Sequence, residues 1–341
     1  MCASAIIAPG TGVLLATYDG RVRLFSVDLS ETIWEDRLTA SIYATPLALA
    51  DRGILIVAST NGEVVAFDRI GKRIWRTEIG HPIYASPTIA PGPGVAVFCT
   101  FGSRCFGVSV DTGAIEFAIS LPRPWSHALG GKASHRDPYA SPIVTAGGRI
   151  VVCCAESVMC FSADGAPLWR CSLDASIRAS PAFLAATQEV AVAAVNGRCV
   201  LLNAVTGEIT HAWKIDSKVI ASPAVSDEFV VFGGADGEAT CVHAPTRAEA
   251  WRRSLCAPKD YSSYSVTPSG DFIATNSRGN VFCVRAQDGD FLWETSQLLG
   301  LAEHDPTLDT TPVTAADGSM YCGSYAGFAY YFRFQPAEGL P

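Results

Sequence analysis

Long apolar runs and clusters of basic residues are both missing from this sequence of 341 residues. No stretch approaches the ~18 consecutive apolar residues that a membrane-spanning helix requires. Lysine and arginine total 25 against 33 aspartate and glutamate, which gives a net charge of −8. We therefore expect no membrane segment, and neither nucleic acid nor an anionic membrane surface as a partner.

We also expect no secretory leader and no metal site of the cysteine type. The N-terminal stretch MCASAIIAPG has no basic residue before its apolar part. There are twelve cysteines, but no C-x-x-C pair and no matched Cys/His spacing, so nothing supports a zinc site. Most cysteines lie in apolar runs such as VAVFCT, where a free thiol behaves as a small hydrophobe. We expect reduced, buried thiols and a cytoplasmic location.

What the sequence does have is a repeat. The segments IYATPLALAD, IYASPTIAPG, PYASPIVTAG, IRASPAFLAA and VIASPAVSDE begin at residues 42, 83, 138, 177 and 219. Most copies are spaced 39 to 42 residues apart, and two intervals are longer, at 55 and 48. With three weaker copies, the aligned hydroxyl residues are Ser4, Thr45, Ser86, Ser141, Ser180, Ser222, Ser263 and Thr311.

Each repeat continues as four short β-type segments. An apolar run leads to an Asn-Gly or Asp-Gly hairpin signal, for which we expect two residues with positive φ. A second run leads to a turn with Asp and Gly, and the unit closes on a strand with an aromatic residue. These closing residues are Trp34, Trp75, Phe117, Trp169, Trp213, Trp251 and Trp293.

Eight units of this kind predict an all-β fold, a single eight-bladed β-propeller of four-stranded antiparallel blades over residues 1–341. The last unit has only three recognisable strands. It therefore predicts a three-stranded blade, or one completed by a partner or by a longer multidomain protein. The expected blades cover approximately residues 1–38, 39–80, 81–131, 132–174, 175–216, 217–256, 257–300 and 301–341.

The combination of A-S-P, N/D-G, D-x-x-G and Trp resembles the repeat of the pyrroloquinoline-quinone (PQQ)-type propeller family. The resemblance covers nearly the whole chain. It implies the propeller fold shared by quinoprotein dehydrogenases, outer-membrane assembly lipoproteins and a propeller domain of β-alanine-activating, acyl-CoA-synthetase-like enzymes. The chain is most similar to that last domain. The repeat is a scaffold and does not select one of these activities.

The quinoprotein members are similar to one another in an adjacent Cys-Cys disulfide over the cofactor. This chain has Cys153-Cys154, followed by Glu156, but the pair lies within the strand-like run RIVVCCAES. We interpret it as two thiols in a strand and expect no PQQ and no other cofactor.

The two long intervals insert residues 121–137 and 296–309 between blades, and these loops carry His127, His135 and His304. Loops on a rigid scaffold commonly carry function. We therefore predict His135, His304 and Tyr139 as candidate catalytic residues. Scattered histidines without a fixed spacing do not define a metal site.

The residue two places before each aligned hydroxyl varies around the ring, although its neighbours hardly change. Side chains two apart on a strand share a side, so these residues predict a collar at the mouth of the central channel. Tyrosine and arginine suit an aromatic or anionic ligand. The predicted ligand-binding residues are Tyr43, Tyr84, Arg178, Tyr261, Asp309, Arg136 and Asp137, with Ile220 also in the collar.

Two functions follow from the collar. The first is a binding or docking module for a small anionic or aromatic molecule, a carrier-bound acyl group or a protein partner. The second is a cofactor-independent enzyme in which Tyr and His supply acid-base steps and Arg178 holds an anion. A lid over the channel would favour the enzyme, and an open face would favour docking.

Overall fold

The computed structural model describes residues 3–8, 10–122, 140–255 and 263–334. Its strands form eight antiparallel sheets, of which seven have four strands and the last has three. The prediction of an eight-bladed propeller with a three-stranded final blade is therefore confirmed. One short helix, α1 (Thr295–Leu299), follows the seventh blade. No helix within these described ranges is long and apolar enough to cross a membrane.

Blades 1 to 4 contain the first sixteen strands. Blade 1 has β1 (Ile6–Ala8), β2 (Gly12–Ala16), β3 (Arg21–Phe25) and β4 (Thr32–Arg37). Blade 2 has β5 (Leu47–Leu49), β6 (Ile54–Ala58), β7 (Glu63–Phe67) and β8 (Arg73–Glu78). Blade 3 has β9 (Thr88–Ala90), β10 (Val95–Thr100), β11 (Arg104–Ser109) and β12 (Ile115–Ser120). Blade 4 has β13 (Ile143–Val144), β14 (Ile150–Cys154), β15 (Ser157–Phe161) and β16 (Pro167–Ser172).

Blades 5 to 8 contain the remaining fifteen. Blade 5 has β17 (Ala182–Leu184), β18 (Glu189–Ala193), β19 (Arg198–Asn203) and β20 (Ile209–Lys214). Blade 6 has β21 (Ala224–Ser226), β22 (Phe229–Gly233), β23 (Glu238–His243) and β24 (Ala248–Ser254). Blade 7 has β25 (Ser265–Val266), β26 (Phe272–Thr275), β27 (Val281–Val284) and β28 (Phe291–Glu294). Blade 8 has β29 (Val313–Thr314), β30 (Met320–Gly323) and β31 (Ala329–Phe332).

The first strand of each blade is the innermost. First strands of neighbouring blades contact one another around the axis, as β1 does with β5 and β9 with β13. Second strands, and the third strands of blades 2 to 7, are buried almost throughout, since both faces pack against neighbouring blades, whereas β3 alternates and β31 is half-buried. The fourth strands of blades 1 to 5 alternate between exposed and half-buried residues, which is the pattern of an outer edge.

The repeated hydroxyl residue has a structural task that explains its recurrence. The backbone N–H of Thr45 donates to the Ser86 hydroxyl at 2.9 Å, and Ser86 N–H donates to Ser141 Oγ at 3.0 Å. Six such bonds run from Ser4 to Ser263, at 2.9–3.1 Å, and join seven consecutive blades. We call these hydrogen-bonded hydroxyl residues the axial ring. These residues lie two positions before the assigned innermost strands, at the entrance to each strand. The preceding alanine is buried because the axis is crowded.

Replacing Ser141 by alanine is expected to lower the free energy of unfolding by about 1–2 kcal/mol, because the Ser86 amide loses its acceptor near the axis. Chemical denaturation of the variant measures this loss. Ser269→Ala, at an exposed turn, is the matched control and is expected to change stability by less than about 0.5 kcal/mol. Equal losses of stability at the two positions would contradict the proposed role of the axial ring in holding neighbouring blades together.

The hairpins between second and third strands differ from the predicted geometry. In blade 2, Ser59 N–H donates to Glu63 O and Gly62 N–H donates to Ser59 O, so the loop has three residues. Within it only Gly62 has a positive φ, at 89°. The expectation of two positive-φ residues was wrong, because a type I turn followed by a left-handed glycine closes the hairpin instead. Thr60 N–H donates to Ser41 O, so the hairpin shares a face with the inter-blade loop.

The closing tryptophans join each blade to the next. Trp75 Nε1 donates to the Val110 carbonyl at 2.6 Å, and Trp251 Nε1 donates to the Ala286 carbonyl at 2.8 Å. Trp34 and Trp169 make the same bond to the following blade. A glycine in the following turn permits the contact, since an added Cβ would stand 2.5–2.9 Å from the ring. These glycines are Gly71, Gly113, Gly165, Gly207 and Gly289, with Phe117 as the ring that meets Gly165.

Blade 5 departs from this pattern. Its Trp213 pairs with Cys199, whereas His211 stands opposite Leu201, which is where other blades place the aromatic residue. The expectation that Trp213 is equivalent to the other tryptophans was therefore wrong by two residues. The following turn has Arg247 instead of glycine, with φ at 63°. Arg247 makes two bonds to the buried Glu189 carboxylate, at 2.6 and 2.7 Å, and so connects blades 5 and 6.

The joint between blades 8 and 1 uses a tyrosine. Tyr321 in β30 donates its hydroxyl to the Val27 carbonyl at 2.7 Å, the same turn position that accepts a tryptophan N–H elsewhere. Tyr321 also contacts Tyr331 of β31, with ring centroids 5.3 Å apart, and Leu29 packs in the same cluster. Leu29 takes the glycine position of the turn with φ at 60°. The three-stranded blade thus closes the ring without a fourth-strand tryptophan.

The cysteines of the described ranges are free thiols, and all but Cys171 are buried. Burial raises the pKa of Cys160, Cys199, Cys241 and Cys283 to about 12, so these groups stay protonated at neutral pH. Titration of the denatured protein without reductant is expected to find close to twelve free thiols. Titration of the native protein should find far fewer reactive thiols. Recovery of only a few thiols after denaturation would contradict the prediction of a reducing compartment.

Candidate functional site

A cavity of about 190 Å³ lies at the mouth of the channel, on the face that carries the inter-blade loops. The structure brings together four predicted ligand-binding residues there, together with Ile220 and hydroxyls of the axial ring. The predicted residues that line it are Tyr43, Tyr84, Arg178 and Asp309. They come from the segments that precede blades 2, 3, 5 and 8, so one cavity collects side chains from around the ring.

The aromatic side of this mouth cavity is built by packed rings. Tyr43 and Tyr84 meet edge to face with their centroids 5.4 Å apart. Tyr84 also stacks on Phe101 at 4.4 Å, with an interplanar angle of 28°. Phe101 belongs to the hairpin between β10 and β11, so a strand connection fixes the orientation of the collar tyrosine. Packed rings of this kind lose little freedom on binding and offer a flat apolar wall.

The polar side holds one cation and one carboxylate. Arg178 is half-buried beside Ser180, whose hydroxyl belongs to the axial ring. The Asp309 carboxylate accepts from the Tyr325 backbone N–H at 2.9 Å and from the Thr307 hydroxyl at 3.1 Å, so its orientation is fixed. Around the ring, the segments of Arg178 and Asp309 are three blades apart, which separates the two charges across the opening.

Tyr325 is a lining residue that sequence reasoning missed. It occupies the second position of the hairpin between β30 and β31, which corresponds to Phe101 in blade 3. A signal was available, because this hairpin position is aromatic in only three blades, with Tyr18 as the third. The hairpins share their face with the collar, so an aromatic at this position points to the same opening.

His304 does not line the mouth cavity. Its side chain is 7% exposed, and its Nδ1 lies 2.9 Å from the Pro306 carbonyl oxygen. The ring packs edge to face on Tyr330 at 4.8 Å and contacts Phe332 of the last strand. Its predicted place beside the collar is therefore corrected: the insertion before blade 8 folds outward over β31, and His304 fills an apolar gap there.

Several predicted site residues lie outside the described residues. They are His135, Tyr139, Arg136, Asp137 and Tyr261, together with His127 of the same insertion. Their roles stay predictions.

The residues present do not fit a PQQ-type cofactor site. Cys153 and Cys154 are free thiols in the buried strand β14. Because neighbouring strand residues face opposite sides, Cys153 packs between blades 4 and 5 and Cys154 packs between blades 3 and 4. Neither lines the mouth cavity. Across the described residues there is also no group of three His, Cys, Asp or Glu side chains arranged to hold a metal ion.

Fold and repeat together define an eight-bladed propeller built from PQQ-type repeats. The family model described as outer membrane protein assembly factor BamB matches residues 18–155 and 154–330. These two matches cover most of the sequence, and the chain belongs to this family.

Individual relatives agree with this assignment. The chain is 30% identical over 115 residues to the outer membrane protein assembly factor BamB of Bordetella pertussis, a match that covers 34% of this chain and 29% of that protein. The crystal structure of BamB from Moraxella catarrhalis has a TM-score of 0.76 at 17% identity, with 98% and 99% of the chains covered. The crystal structure of Sqt1 from Saccharomyces cerevisiae has a TM-score of 0.75 at 13% identity, with 98% of this chain and 97% of that chain covered. At these identities the structural likeness shows the fold alone.

The family assignment indicates a propeller that acts as a binding or scaffold module.

Proposed function

We propose that this chain is a non-catalytic binding module whose channel mouth accepts a compact anionic or aromatic group. The group belongs to a small molecule, to a carrier-bound acyl chain or to a protein partner. The observation that carries the proposal is the mouth cavity itself, where Tyr43, Tyr84 and Arg178 converge although they come from three different blades.

The size of the cavity limits the ligand. A volume of about 190 Å³ is below the ~300–1,000 Å³ of sites that enclose a drug-sized molecule. At roughly 30 Å³ for each water, it holds about six waters or one ring with its substituent. The proposal is therefore insertion of one functional group while the remainder of the ligand stays outside.

The chemistry of the wall selects that group. Tyr43 and Tyr84 present a packed aromatic surface, and Arg178 supplies a guanidinium that can form two parallel hydrogen bonds to a carboxylate. Asp309 disfavours an anion on its own side of the opening. We infer that the ligand enters with its anion toward Arg178 and its apolar part against the tyrosines.

Protein partners are the source that the comparisons favour, because the matching family model and the Bordetella pertussis relative are both described as outer membrane protein assembly factor BamB. The acid-base enzyme has less support. Among its three proposed catalytic residues only His304 is described, and it lies outside the mouth cavity. The free thiols of the described cysteines are compatible with a reducing location, which we propose to be the cytoplasm.

Binding of phenylacetate, followed by NMR, tests the site, with phenylacetamide as the uncharged control. Arg178→Ala is expected to weaken phenylacetate binding by about 1.5–3 kcal/mol, which is roughly 10- to 150-fold. Stability should hardly change, because the residue borders a solvated opening. Arg149→Ala, in the hairpin at the other end of the channel, should leave binding unchanged.

Acetyl-Gly-Phe, a peptide with a free terminal carboxylate, distinguishes a small molecule from a protein-borne group. Stronger binding of the peptide than of phenylacetate supports a protein partner. If Arg178→Ala destabilises the fold while phenylacetate affinity is unchanged, Arg178 is a structural residue and the proposed ligand chemistry is wrong.

A further inference from the structure

Exposed apolar side chains are concentrated at the end of the described chain. Among the described residues seventeen large hydrophobic side chains are exposed; eight of them lie between residues 291 and 334, and one of these eight, Tyr325, belongs to the mouth cavity. The other nine are scattered over blades 1 to 5, with at most three in one blade, which is normal for a soluble surface. The concentrated set includes Phe291, Leu292, Leu298, Leu299, Phe328 and Phe334. We call this surface the blade-8 patch.

The blade-8 patch is continuous with the last strand. Trp293 of β28 contacts Phe334 with ring centroids 4.9 Å apart, and His304 contacts Tyr330 and Phe332 of β31. Blade 7, the insertion that follows it and β31 therefore meet at one place. An unpaired strand beside exposed aromatic residues is a surface on which an extended chain can pair.

The backbone of β31 offers hydrogen bonds to such a chain. Ser324 N–H donates to Phe328 O at 2.9 Å, so Phe328, Tyr330 and Phe332 bond inward to β30. Bonding alternates along an antiparallel strand, and the N–H and C=O groups of Ala329 and Tyr331 therefore point outward. Within the described part of the chain, no strand pairs with β31 on that side.

The joint with blade 1 restricts the side chains of the incoming strand. In completed blades an aromatic residue of the fourth strand stands opposite a third-strand residue such as Ala66 or Cys160. Tyr331 occupies that third-strand position, and Tyr321 already donates to the carbonyl that the tryptophan would reach. The residue that pairs with Tyr331 must therefore be small.

Charge selects the partner further. Residues 291–334 contain one arginine, Arg333, and five carboxylates, of which Glu303, Asp305 and Asp317 are exposed outside the mouth cavity. A second copy of this chain would bring the same negative charge to the edge, and residues 335–341 contain one glutamate and no basic residue. A positively charged segment is favoured over both.

We propose that β31 and the blade-8 patch bind an extended segment of a protein partner that is apolar and basic, and that adds to blade 8 as its fourth strand. The segment carries a small residue opposite Tyr331, and basic residues face the carboxylates around the patch. This surface is separate from the mouth cavity, so the partner can hold the propeller while the mouth remains open.

The probe is a synthetic ten-residue peptide in which lysine alternates with valine and alanine, titrated against the whole chain by fluorescence anisotropy. Ala329→Pro removes one outward N–H and is expected to weaken binding at least tenfold, as is N-methylation of the peptide backbone. Proline is tolerated at edge strands, and thermal unfolding checks that the variant folds.

Phe328→Lys, which leaves the backbone intact, should also weaken binding, by charge repulsion and loss of apolar contact. Phe328 is 55% exposed, and Ile33→Lys at a completed blade, where Ile33 is 50% exposed, is the matched control with unchanged binding. Binding should weaken as salt is raised.

Four results would overturn the proposal. One is no binding of the basic peptide, and another is equal binding of its N-methylated or glutamate-containing form. A third is a dimer that Ala329→Pro dissociates, which would make a second copy the occupant. The last is slow hydrogen exchange at the Ala329 and Tyr331 amides in the isolated chain, which would show that residues 335–341 already cover the edge.

Discussion

Trp251→Ala is expected to lower the free energy of unfolding by about 3–5 kcal/mol. Trp251 is 4% exposed, packs in the cluster between blades 6 and 7 and donates to the Ala286 carbonyl. Truncation removes a large apolar surface and leaves a cavity against Gly289, whose missing Cβ makes room for the ring. Denaturant unfolding monitored by circular dichroism measures the loss.

The control for this prediction is Leu168→Ala on β16, an exposed residue of another outer strand, for which a change within about 0.5 kcal/mol is expected. Trp251→Phe should recover part of the loss, because it restores ring volume without the indole N–H. A loss below about 1 kcal/mol for Trp251→Ala would show that the inter-blade joints do not depend on the closing aromatic residue.

Arg247→Met is expected to lower the free energy of unfolding by about 3–5 kcal/mol, because it leaves a buried carboxylate without its cation. Glu189 is 2% exposed and accepts two bonds from Arg247 and one from the Thr210 hydroxyl at 2.5 Å. Glu189→Gln combined with Arg247→Met removes the charge as well and should recover most of the loss. If the double variant is as unstable as the single one, the pair is not coupled.

The pH dependence of this pair has a definite sign. Burial acts to raise the pKa of Glu189, but the bonds from Arg247 and Thr210 outweigh it and hold that pKa below its ordinary value of 4.5. A carboxyl with a lowered folded-state pKa contributes stability above pH 4.5 and loses it as the pH falls through that folded value. Without Arg247 the pKa of Glu189 rises, so this carboxyl is protonated more readily. The stability lost through Arg247→Met should therefore become smaller as the pH is lowered toward 4. A deficit that is constant from pH 7 to pH 4 would contradict this.

The fold was predictable from the sequence because its repeat is periodic. The spacing of the Ser and Thr residues identified eight blades, and the run of apolar segments located their strands. The sequence did not predict the places where one blade uses a different residue at the inter-blade joint. Trp213 looks like its counterparts along the chain, yet it lies two residues beyond the joint position on β20, and only the strand pairing reveals that His211 takes that position. The Tyr321 contact to Val27 joins residues 294 positions apart.

The site was predictable where symmetry determines position. Tyr43, Tyr84, Arg178 and Asp309 share one place in the repeat, so strand geometry brings them to the same mouth cavity. His304 lies in an insertion, which has no equivalent in other blades, and its outward packing on Tyr330 depends on the unfinished edge of blade 8. The structural role of the axial ring was also not predictable from the sequence, because it consists of hydrogen bonds between different repeats.

Crystals exposed to a set of aromatic carboxylates and their uncharged amides test the central claim most directly. We predict that the carboxylates collect in the cavity at the channel mouth, with the carboxylate on Arg178 and the ring against Tyr43 or Tyr84, and that the amides bind less often. Carboxylates found only elsewhere, such as the groove beside Leu121 and Trp169 between blades 3 and 4, with none at the mouth, would contradict the account.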